Sequence, residues 1–499
     1  MKRWPVIAEV PRAGWLCALV AILAGTSWAL LVPPFQVPDE PAHFAYTQYL
    51  AEAGEPPRGE PGKRAYSQEL RRVLDAVRYK QVEVRPDNRA LASAKAQRGL
   101  ERALETSGDR ESEGGSSHAN NNQPVYYAIE LAPYWLVPSG NLLDRLFSMR
   151  LLSALLSGIT VLFVFLFLRE LLPGIPWAWP VGALAVALQP VFGNISGAIH
   201  SDNLLYAASA AVFLMLAVCF RRGLTAPRGA ALGLATSVGI LTKPTMLGLV
   251  PGIALGLALL VSRAGRDDRT VPLRGVATAL LFAALPVVIY GLLSLQIWDR
   301  GFYLATSGEA EQGGDLPGAA ADTVVMAKTL GGYLEYVWQF YLPRLPFMEA
   351  QFDQFPLAHI WFDGFVGRFG ALEYGFGTPV DAVAICVFSA IVLLAARELV
   401  RNRSSIRTRL PELITYMTVA GGTILFVHKA GYDGRTPEIQ GFEQARYLFP
   451  MLALYAALIA LAARGAGRRF GPTAGVLIVS LAIAHTLLAL LLTLTRYYG

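Results

Sequence analysis

The stretch "LFSMRLLSALLSGITVLFVFLFL" at residues 146–168 is a long apolar run with few charges. About 20 apolar residues in a helix cross a hydrocarbon layer about 30 Å thick, so this stretch predicts a membrane-spanning helix. We interpret ten further apolar runs in the same way; they lie at residues 14–33, 176–195, 203–220, 229–242, 245–262, 275–297, 379–396, 412–428, 447–463 and 471–494. The sequence therefore predicts an all-α polytopic membrane protein with about eleven transmembrane helices.

The composition of the chain agrees with this fold class, because 54% of its 499 residues are hydrophobic and only 16% are charged. A soluble protein carries about 25% charged residues. The net charge of +6 is therefore no sign of a nucleic-acid partner, and we expect none. Since Cys17, Cys219 and Cys386 all fall in apolar runs, no disulfide framework or metal site is predicted from them.

Lysines and arginines in the short loops predict the orientation, because positive residues are retained in the cytoplasm. With eleven spans, all the basic clusters fall on one side of the membrane. The clusters comprise Lys2, Arg3, Arg12, Arg221, Arg222, Arg228, Arg263, Arg266, Arg269, Arg274, Arg397, Arg401, Arg403, Arg407, Arg409, Arg464, Arg468 and Arg469. The N-terminus is then cytoplasmic and the C-terminus external. We expect the first apolar run to be retained, because no small-residue cleavage site follows it.

The opposite, external side carries the long loops, at residues 34–145, 298–378 and 429–446. The loops on the basic side are short. Any activity is therefore predicted on the extracytoplasmic face.

The first external loop has an internal organisation of its own. Residues 67–81 and 88–106 have the pattern of polar or amphipathic helices, whereas residues 107–122 are typical of a flexible, solvated link. The segment "QPVYYAIELAPYWLVP" at residues 123–138 is apolar over too short a length to span a bilayer. It predicts a helix that lies at the membrane interface or enters it partway.

Two adjacent acids lie just after the first apolar run, in "QVPDEPAHFAY" at residues 36–46. Asp39 followed by Glu40 and Pro41 is good helix-start chemistry, so one interpretation is a helix N-cap. The alternative is a carboxylate at the membrane surface that accepts a proton from a hydroxyl nucleophile. Glu40 would then be an orienting partner, and repulsion between two buried carboxylates would push their pKa values apart.

Two further polar segments flank predicted spans on the same side. "NNQPVYY" at residues 121–127 places Asn122, Gln123, Tyr126 and Tyr127 where the chain returns to the membrane; an interfacial aromatic belt is the simpler interpretation of the tyrosines. "HSDN" at residues 200–203 begins the fourth span, and Ser201 or Asp202 as its N-cap is the simpler interpretation there.

Two cations on the external side stand apart from the basic loops. Lys243 lies in "LTKPTMLG", between two short apolar halves, and Arg446 lies in "IQGFEQARYLFP", before the tenth span. Both side chains could simply reach the interface along apolar surface. Ionisable residues at helix breaks are otherwise candidates for binding an anion such as a lipid phosphate, which arginine can bind through two donors.

Taken in order, these segments resemble the GT-C superfamily of integral-membrane glycosyltransferases, which includes protein O-mannosyltransferases and the aminoarabinose transferases of lipid A. The chain is most similar to a bacterial family of predicted membrane proteins that shares the "PDEPAHF", "KP", "FG" and "RYLFP" blocks. The last two occur here in "FVGRFGALEYGFG" at residues 365–377 and "ARYLFPMLALY" at residues 445–455. The resemblance covers about residues 15–465 and implies a GT-C-like catalytic module over residues 1–465, followed by a last helix and tail at 466–499.

The resemblance implies a polyprenyl-phosphate-linked sugar as donor and a hydroxyl of the cell envelope as acceptor. Asp39 would be the general base of an inverting transfer, and Lys243 and Arg446 would stabilise the leaving phosphate. Glu40 would assist Asp39. The remaining candidates would bind or orient sugar or acceptor; they are His43, Gln123, Tyr126, Tyr127, His200, Asp202 and Asn203. The implied location is the bacterial cytoplasmic membrane, among membrane lipids, and the polar insert at residues 60–120 is a candidate for acceptor specificity.

Some members of the GT-C superfamily need a divalent metal ion and others do not. Asp39, Glu40, His200 and Asp202 offer oxygen and nitrogen ligands, but their spacing does not compel a site. We expect no obligatory cofactor, with a divalent cation as the open alternative.

Two other classes of protein remain open from sequence. A transporter or flippase of lipid-linked saccharides would suit interfacial cations equally well. It predicts charged residues along a path through the middle of the membrane, where the apolar runs carry almost none. A structural or scaffold membrane protein is the other class, and it does not explain why acids and cations lie together at the ends of the predicted spans.

Overall fold

The computed structural model of the protein describes residues 10–83, 88–89, 93–106, 109–138, 140–264, 270–301, 329–351, 358–434 and 443–499. These residues form twenty α-helices, three 3₁₀ helices and one small antiparallel strand pair. The first half of the chain contributes α1 Arg12–Leu31, α2 Glu40–Ala53, α3 Gln68–Ala76, α4 Tyr79–Glu83, α5 Ala94–Glu105, α6 Val125–Leu136, α7 Leu142–Leu171, α8 Ala178–Ala187, α9 Pro190–Ser196, α10 Asp202–Arg222 and α11 Ala226–Ile240.

The second half contributes α12 Val250–Arg263, α13 Thr270–Ile297, α14 Leu330–Tyr341, α15 Ala358–Gly367, α16 Thr378–Arg401, α17 Arg403–Thr408, α18 Leu410–Gly434, α19 Leu452–Gly465 and α20 Gly471–Tyr498. The 3₁₀ helices are His118–Asn121, Pro244–Leu249 and Ala445–Met451. Strand β1, Arg368–Phe369, pairs with β2, Tyr374–Gly375, with Arg368 opposite Gly375.

Nine helical segments of the described residues are long and apolar enough to cross a membrane. A tenth crossing is formed if α8 and α9, which meet at 60°, count as one bent span. The prediction of an all-α polytopic membrane protein is confirmed. The number of crossings in the described residues is nine or ten, whereas the sequence predicted about eleven. The remaining predicted span corresponds to α11, whose 15 residues measure about 22 Å at 1.5 Å per residue.

The connections of α11 show that this short helix runs back alongside α10. It begins four residues after the end of α10, and the turn that follows it brings Lys243 Nζ within 2.6 Å of Asp202 Oδ1 at the beginning of α10. The short helix therefore returns over the depth of α10. A proline lies in the first turn of each helix, at position 2 of α11 (Pro227) and at position 1 of the following 3₁₀ helix (Pro244). Both fit such a compact return, because proline is tolerated in a first turn.

The helices differ sharply in how much of their apolar surface is enclosed. In the apolar window of α10, 89% of residues are buried, whereas the figure is 6% for α13 and 11% for α16. Helix α10 is therefore central, and α13 and α16 lie at the periphery with leucine and valine side chains facing outward. An apolar exterior of this extent is what contact with lipid requires.

Basic residues from several loops meet at one end of the bundle, as predicted from their spacing. Arg222 pairs with Glu170 at the end of α7. Arg409 donates to the carbonyl of Leu171 at 2.6 Å, and Arg397 donates to the carbonyl of Gly465 at 2.7 Å. These residues lie at the opposite end of α10 from Asp202.

The first loop forms the predicted short helices α3, α4 and α5, but residues 109–122 differ from the expected flexible link. Arg300, which follows α13, is 2% exposed and donates to the carbonyls of Asn120 and Asn122. Asn120 in turn donates to the carbonyl of Gly115 at 2.9 Å. The polar composition of this segment therefore serves internal hydrogen bonds, which the composition alone does not distinguish from solvation.

Candidate active site

Four breaks between helices meet at the end of the bundle opposite the basic loops. They are the start of α2, the turn before α10, the Lys243-Pro244 break before α12 and the 3₁₀ turn before α19. A kinked or broken helix exposes polar backbone and lets side chains converge where a continuous helix would not. Asp39, His200, Asp202, Lys243 and Arg446 are thereby brought together from separate parts of the chain.

Asp39 is held in an unusual conformation and does not cap its helix. Its backbone is left-handed, with φ at 63°, a conformation that is uncommon for a residue other than glycine. The side chain makes no capping hydrogen bond to α2. Instead Arg446 Nη2 donates to Asp39 Oδ2 at 2.7 Å, and 33% of the side chain stays exposed. The capping interpretation is wrong for the side chain, which faces the other polar groups of the site.

Arg446 and Lys243 point into the protein rather than toward the interface. Arg446 is 4% exposed, and besides Asp39 it donates from Nη1 to His200 Nε2 at 2.9 Å. His200 Nδ1 lies 3.4 Å from Asp202 Oδ2, and Lys243 Nζ donates to Asp202 Oδ1 at 2.6 Å. The result is an alternating row of acidic and basic side chains with a histidine at its centre. The interpretation that these two cations extend along apolar surface to the membrane interface is therefore wrong for both.

The electrostatics of this row favour a charged Asp39 and neutral histidines. Burial alone would raise the pKa of the Asp39 carboxyl, but the charge of Arg446 and the contact with His200 hold that pKa well below its ordinary value. Burial lowers the pKa of both His43 and His200. At neutral pH two carboxylates therefore face two cations, so the row carries no net charge.

His43 and Tyr127 form an aromatic wall beside the row. His43 Nδ1 lies 2.8 Å from Tyr127 Oη, and the centroids of the His43 and His200 rings are 4.3 Å apart. Tyr127 is stacked on Tyr46, with centroids 3.7 Å apart, and accepts a hydrogen bond from Asn122 Nδ2 at 3.1 Å. Because Tyr127 is completely buried, it does not belong to an interfacial aromatic belt.

Three other predicted sugar-binding residues use their polar atoms inside the protein. Tyr126 Oη accepts from the backbone N–H of His200 at 2.8 Å. Asn203 Nδ2 donates to the carbonyls of Ile195 and Ala198, both at 3.1 Å, and Gln123 is fully buried. Tyr126 and Asn203 thus fix the turn that carries His200. Neither Ser201 nor Asp202 caps α10 with its side chain, since no capping bond is made there.

Glu40 faces away from Asp39 and pairs with a residue that the sequence motifs did not single out. Arg150 donates to Glu40 Oε1 from Nε at 2.8 Å and to Oε2 from Nη2 at 2.6 Å. The same carboxylate accepts the backbone N–H of Phe35 at 3.0 Å and that of Ile199 at 3.2 Å. All its acceptor capacity is used, and none of these hydrogen bonds involves Asp39.

The signal for Arg150 was present in the sequence. It is the only charge in the 146–168 run, and an ionisable residue inside a span needs a partner. Tyr206 is a second residue that the motifs missed. Its hydroxyl donates to the carbonyl of Arg446 at 3.1 Å and lies 3.3 Å from Asp202 Oδ2, so it ties α10 to the segment that carries Arg446.

The described residues contain no group of three or more His, Cys, Asp or Glu side chains arranged to hold a metal ion. Asp39 and Asp202 are each paired with a cation, which leaves the candidate metal ligands of the sequence already engaged. The arrangement can instead accept a proton at Asp39 and meet an anion at Arg446 or Lys243.

A buried carboxyl in α6 should make stability depend on pH. Burial raises the pKa of Glu130 from the ordinary 4.5 to about 8, and Ser153 Oγ donates to its Oε1 at 3.2 Å. The folded state keeps a proton that the unfolded state loses, so this contribution is complete below pH 4.5 and is lost as pH rises through about 8. We expect the melting temperature of the protein in micelles to fall between pH 5 and 9. The fall should be smaller for Glu130→Gln, and an equal fall in both proteins would contradict the assignment.

One curated protein is similar to part of the chain. A 174-residue match covering 33% of this chain is 33% identical to the undecaprenyl phosphate-alpha-4-amino-4-deoxy-L-arabinose arabinosyl transferase 1 of Pseudomonas fluorescens (strain Pf0-1). The match spans 29% of that protein's length. No solved structure matches the chain.

A family match is far more extensive. The family described as "Predicted membrane protein (DUF2142)" matches residues 22–455, which include α2, the four helix breaks and the whole row of acidic and basic side chains. The chain is a multi-pass membrane protein that belongs to the DUF2142 family.

Proposed function

We propose that this protein is a glycosyltransferase that moves a sugar from a polyprenyl-phosphate-linked donor to a hydroxyl acceptor of the cell envelope. The observation that carries the proposal is the partly exposed Asp39 carboxylate joined to the buried Arg446 at one end of an apolar helical bundle. Such a transfer needs a base that takes the proton of the acceptor hydroxyl and a cation that stabilises the leaving phosphate. The partial similarity to a transferase whose printed name includes undecaprenyl phosphate supports the same class.

The proposed reaction is a displacement at the anomeric carbon with inversion. Asp39 accepts the proton of the acceptor hydroxyl, and the hydroxyl oxygen forms a bond to the anomeric carbon. The bond from that carbon to the phosphate oxygen breaks, and its electron pair leaves with the polyprenyl phosphate. Arg446 and Lys243 stabilise the negative charge that develops on the phosphate, which is the larger electrostatic need because a phosphate leaves without being protonated.

The remaining side chains hold this pair in place. His200 lies between Arg446 and Asp202, so it keeps the two cations apart while both face the same region. His43 and Tyr127, both buried, pack behind His200 and hold its ring in place. Glu40 fixes the loop that carries Asp39, because it accepts the backbone N–H of Phe35 in the α1–α2 connection and is itself held by Arg150.

We place the reaction on the extracytoplasmic face of the bacterial cytoplasmic membrane, with the N-terminus in the cytoplasm. The basis is the positive-inside rule applied to the end of the bundle where Arg222, Arg397 and Arg409 meet. Asp39 and Arg446 lie at the other end. The donor lipid is then drawn from the surrounding membrane, and no nucleic acid takes part.

The proposal is tested with purified protein in lipid nanodiscs and a panel of undecaprenyl-phosphate sugars, including 4-amino-4-deoxy-L-arabinose. Free undecaprenyl phosphate is measured with and without cell-envelope extract as acceptor. We expect release with one donor, and we expect it to depend on Asp39. Folded protein that releases no undecaprenyl phosphate from any donor, with acceptor present, would contradict the proposal.

A further inference from the structure

Arg446 has a donor that the row of acidic and basic side chains does not use. Its Nη1 and Nη2 atoms bond to His200 and Asp39, but its Nε is buried without a hydrogen-bond partner among the described residues. Leaving a charged donor unpaired in the interior is unfavourable, since the group has lost its water. Such an atom beside an open space marks a place where an acceptor belongs.

A small crevice that opens to solvent is lined in part by this arginine. Its polar lining comes from Asn194, Arg368, Gln444 and Arg446, and Pro38, which directly precedes Asp39, closes one side. None of its lining residues is acidic. Arg446 is paired with Asp39 outside this lining, so Arg368 adds a second guanidinium group whose charge favours an anion in the crevice.

Arg368 is the second cation of the crevice and lies in strand β1. It is exposed, and within the part of the chain that the structure describes it has no carboxylate partner in an ion pair. The nearby Glu373 is engaged elsewhere, with Arg496 at 3.3 Å. Arg368 is thus available to a ligand, whereas Lys243 is already bonded to Asp202.

The rest of the crevice is apolar. Val191, Ile195 and Leu372 line it together with the two arginines. These apolar side chains add nothing to the binding of a free anion. They favour a phosphate attached to a hydrocarbon chain, because the first carbons of the chain leave water as the phosphate binds. The lining therefore fits a lipid-linked phosphate better than an inorganic one.

We propose that this crevice binds the phosphate of a polyprenyl-phosphate ligand, with Arg446 Nε and Arg368 as its donors. The proposal rests on the function proposed above for the choice of lipid, and it adds Arg368 to the residues that serve the donor. Because Nε and Nη2 belong to one rigid plane, a phosphate at Nε lies next to Asp39. One arginine then contacts both the base and the leaving group.

The test measures equilibrium binding of undecaprenyl phosphate, the reaction product, to the full-length protein in nanodiscs. Arg368→Gln keeps a polar, hydrogen-bonding side chain and removes the charge. Loss of a charge-assisted phosphate contact should weaken binding about tenfold. Arg344→Gln is the matched control, since Arg344 is also an exposed arginine but does not line the crevice.

Two further ligands separate a specific site from a general one. Phosphatidylglycerol at the same membrane fraction and inorganic phosphate in solution should each bind more weakly than undecaprenyl phosphate. Equal affinity for either of them, or for wild type and Arg368→Gln, would overturn the proposal.

Failure of the crevice and failure of the transferase function give different results. If the wild type turns over a donor but Arg368→Gln leaves undecaprenyl phosphate binding unchanged, the crevice is wrong and the function stands. If Arg368→Gln weakens binding tenfold and no donor is turned over, the crevice is supported and the function is wrong.

Discussion

Replacing Asp39 with Asn is expected to lower the rate of sugar transfer by about 10²- to 10⁴-fold, the range typical of losing a general base. The amide keeps the size of the side chain, and its Oδ1 can still accept the hydrogen bond from Arg446. Folding and donor binding should therefore change little. The measurement is single-turnover release of undecaprenyl phosphate at saturating donor, with donor affinity and melting temperature determined on the same preparation.

The matched control is Asp75→Asn, because Asp75 is an exposed aspartate of α3 in the same loop region. It should transfer sugar at the wild-type rate. If Asp39→Asn also kept full activity, Asp39 would have to be a structural residue, and the proton would have to be taken by another group.

Replacing Glu40 with Ala is expected to have the largest effect on stability, about 3–5 kcal/mol, because it removes one partner of a fully buried ion pair. Both Glu40 and Arg150 are completely shielded from solvent. The variant leaves the Arg150 charge without a carboxylate and two backbone N–H groups, those of Phe35 and Ile199, without an acceptor. The melting temperature in micelles and the yield of folded protein measure the loss.

Two variants show whether the loss arises from the charge pair. The double variant Glu40→Leu with Arg150→Met should recover part of the stability, since neither charge is then stranded. Recovery should be incomplete because Arg150 also donates to the carbonyls of Ala29 and Val32, each at 2.9 Å. Glu113→Ala, which breaks the exposed pair with Arg64, should have little effect. A Glu40→Ala protein with wild-type stability but no activity would instead make Glu40 a direct participant.

Much of the fold could be predicted because the membrane simplifies the physics. A span must be helical and apolar, so composition in a window of about 20 residues predicts most crossings. The short helix α11 was predicted as a span from its apolar run, although its length alone would not have required it. Ionisable residues at the helix breaks could be selected from sequence because they need partners there, and the structure brings Asp39 and Asp202 together with Arg446 and Lys243.

What the sequence could not provide was the direction in which each side chain turns. Asp39 and Glu40 are adjacent in the chain, yet the left-handed backbone at Asp39 sends one toward Arg446 and the other toward Arg150. Those partners lie 407 and 110 residues away. Pairing over such distances depends on helix packing, which no local pattern encodes. The same holds for Lys243, which pairs with Asp202 although it was expected to face a phosphate directly.

The row of acidic and basic side chains is already paired before a ligand binds. Lys243 and Arg446 are each bonded to a carboxylate before any ligand arrives. A phosphate therefore has to share a cation with Asp39 or Asp202, or use the unpaired Nε of Arg446. A small anion meets a row without net charge, and an apolar tail on the ligand would add free energy of binding.

The central claim is that the protein separates a sugar from its lipid carrier, and a doubly labelled donor in proteoliposomes tests it most directly. One label is placed on the sugar of an undecaprenyl-phosphate donor and another on its lipid, and cell-envelope acceptor is supplied outside. We predict that the two labels part, with the sugar on the acceptor, the lipid recovered as undecaprenyl phosphate, and neither change seen with Asp39→Asn. Intact donor that crosses the bilayer with both labels still joined, and no sugar on the acceptor, would contradict the account and make the protein a flippase.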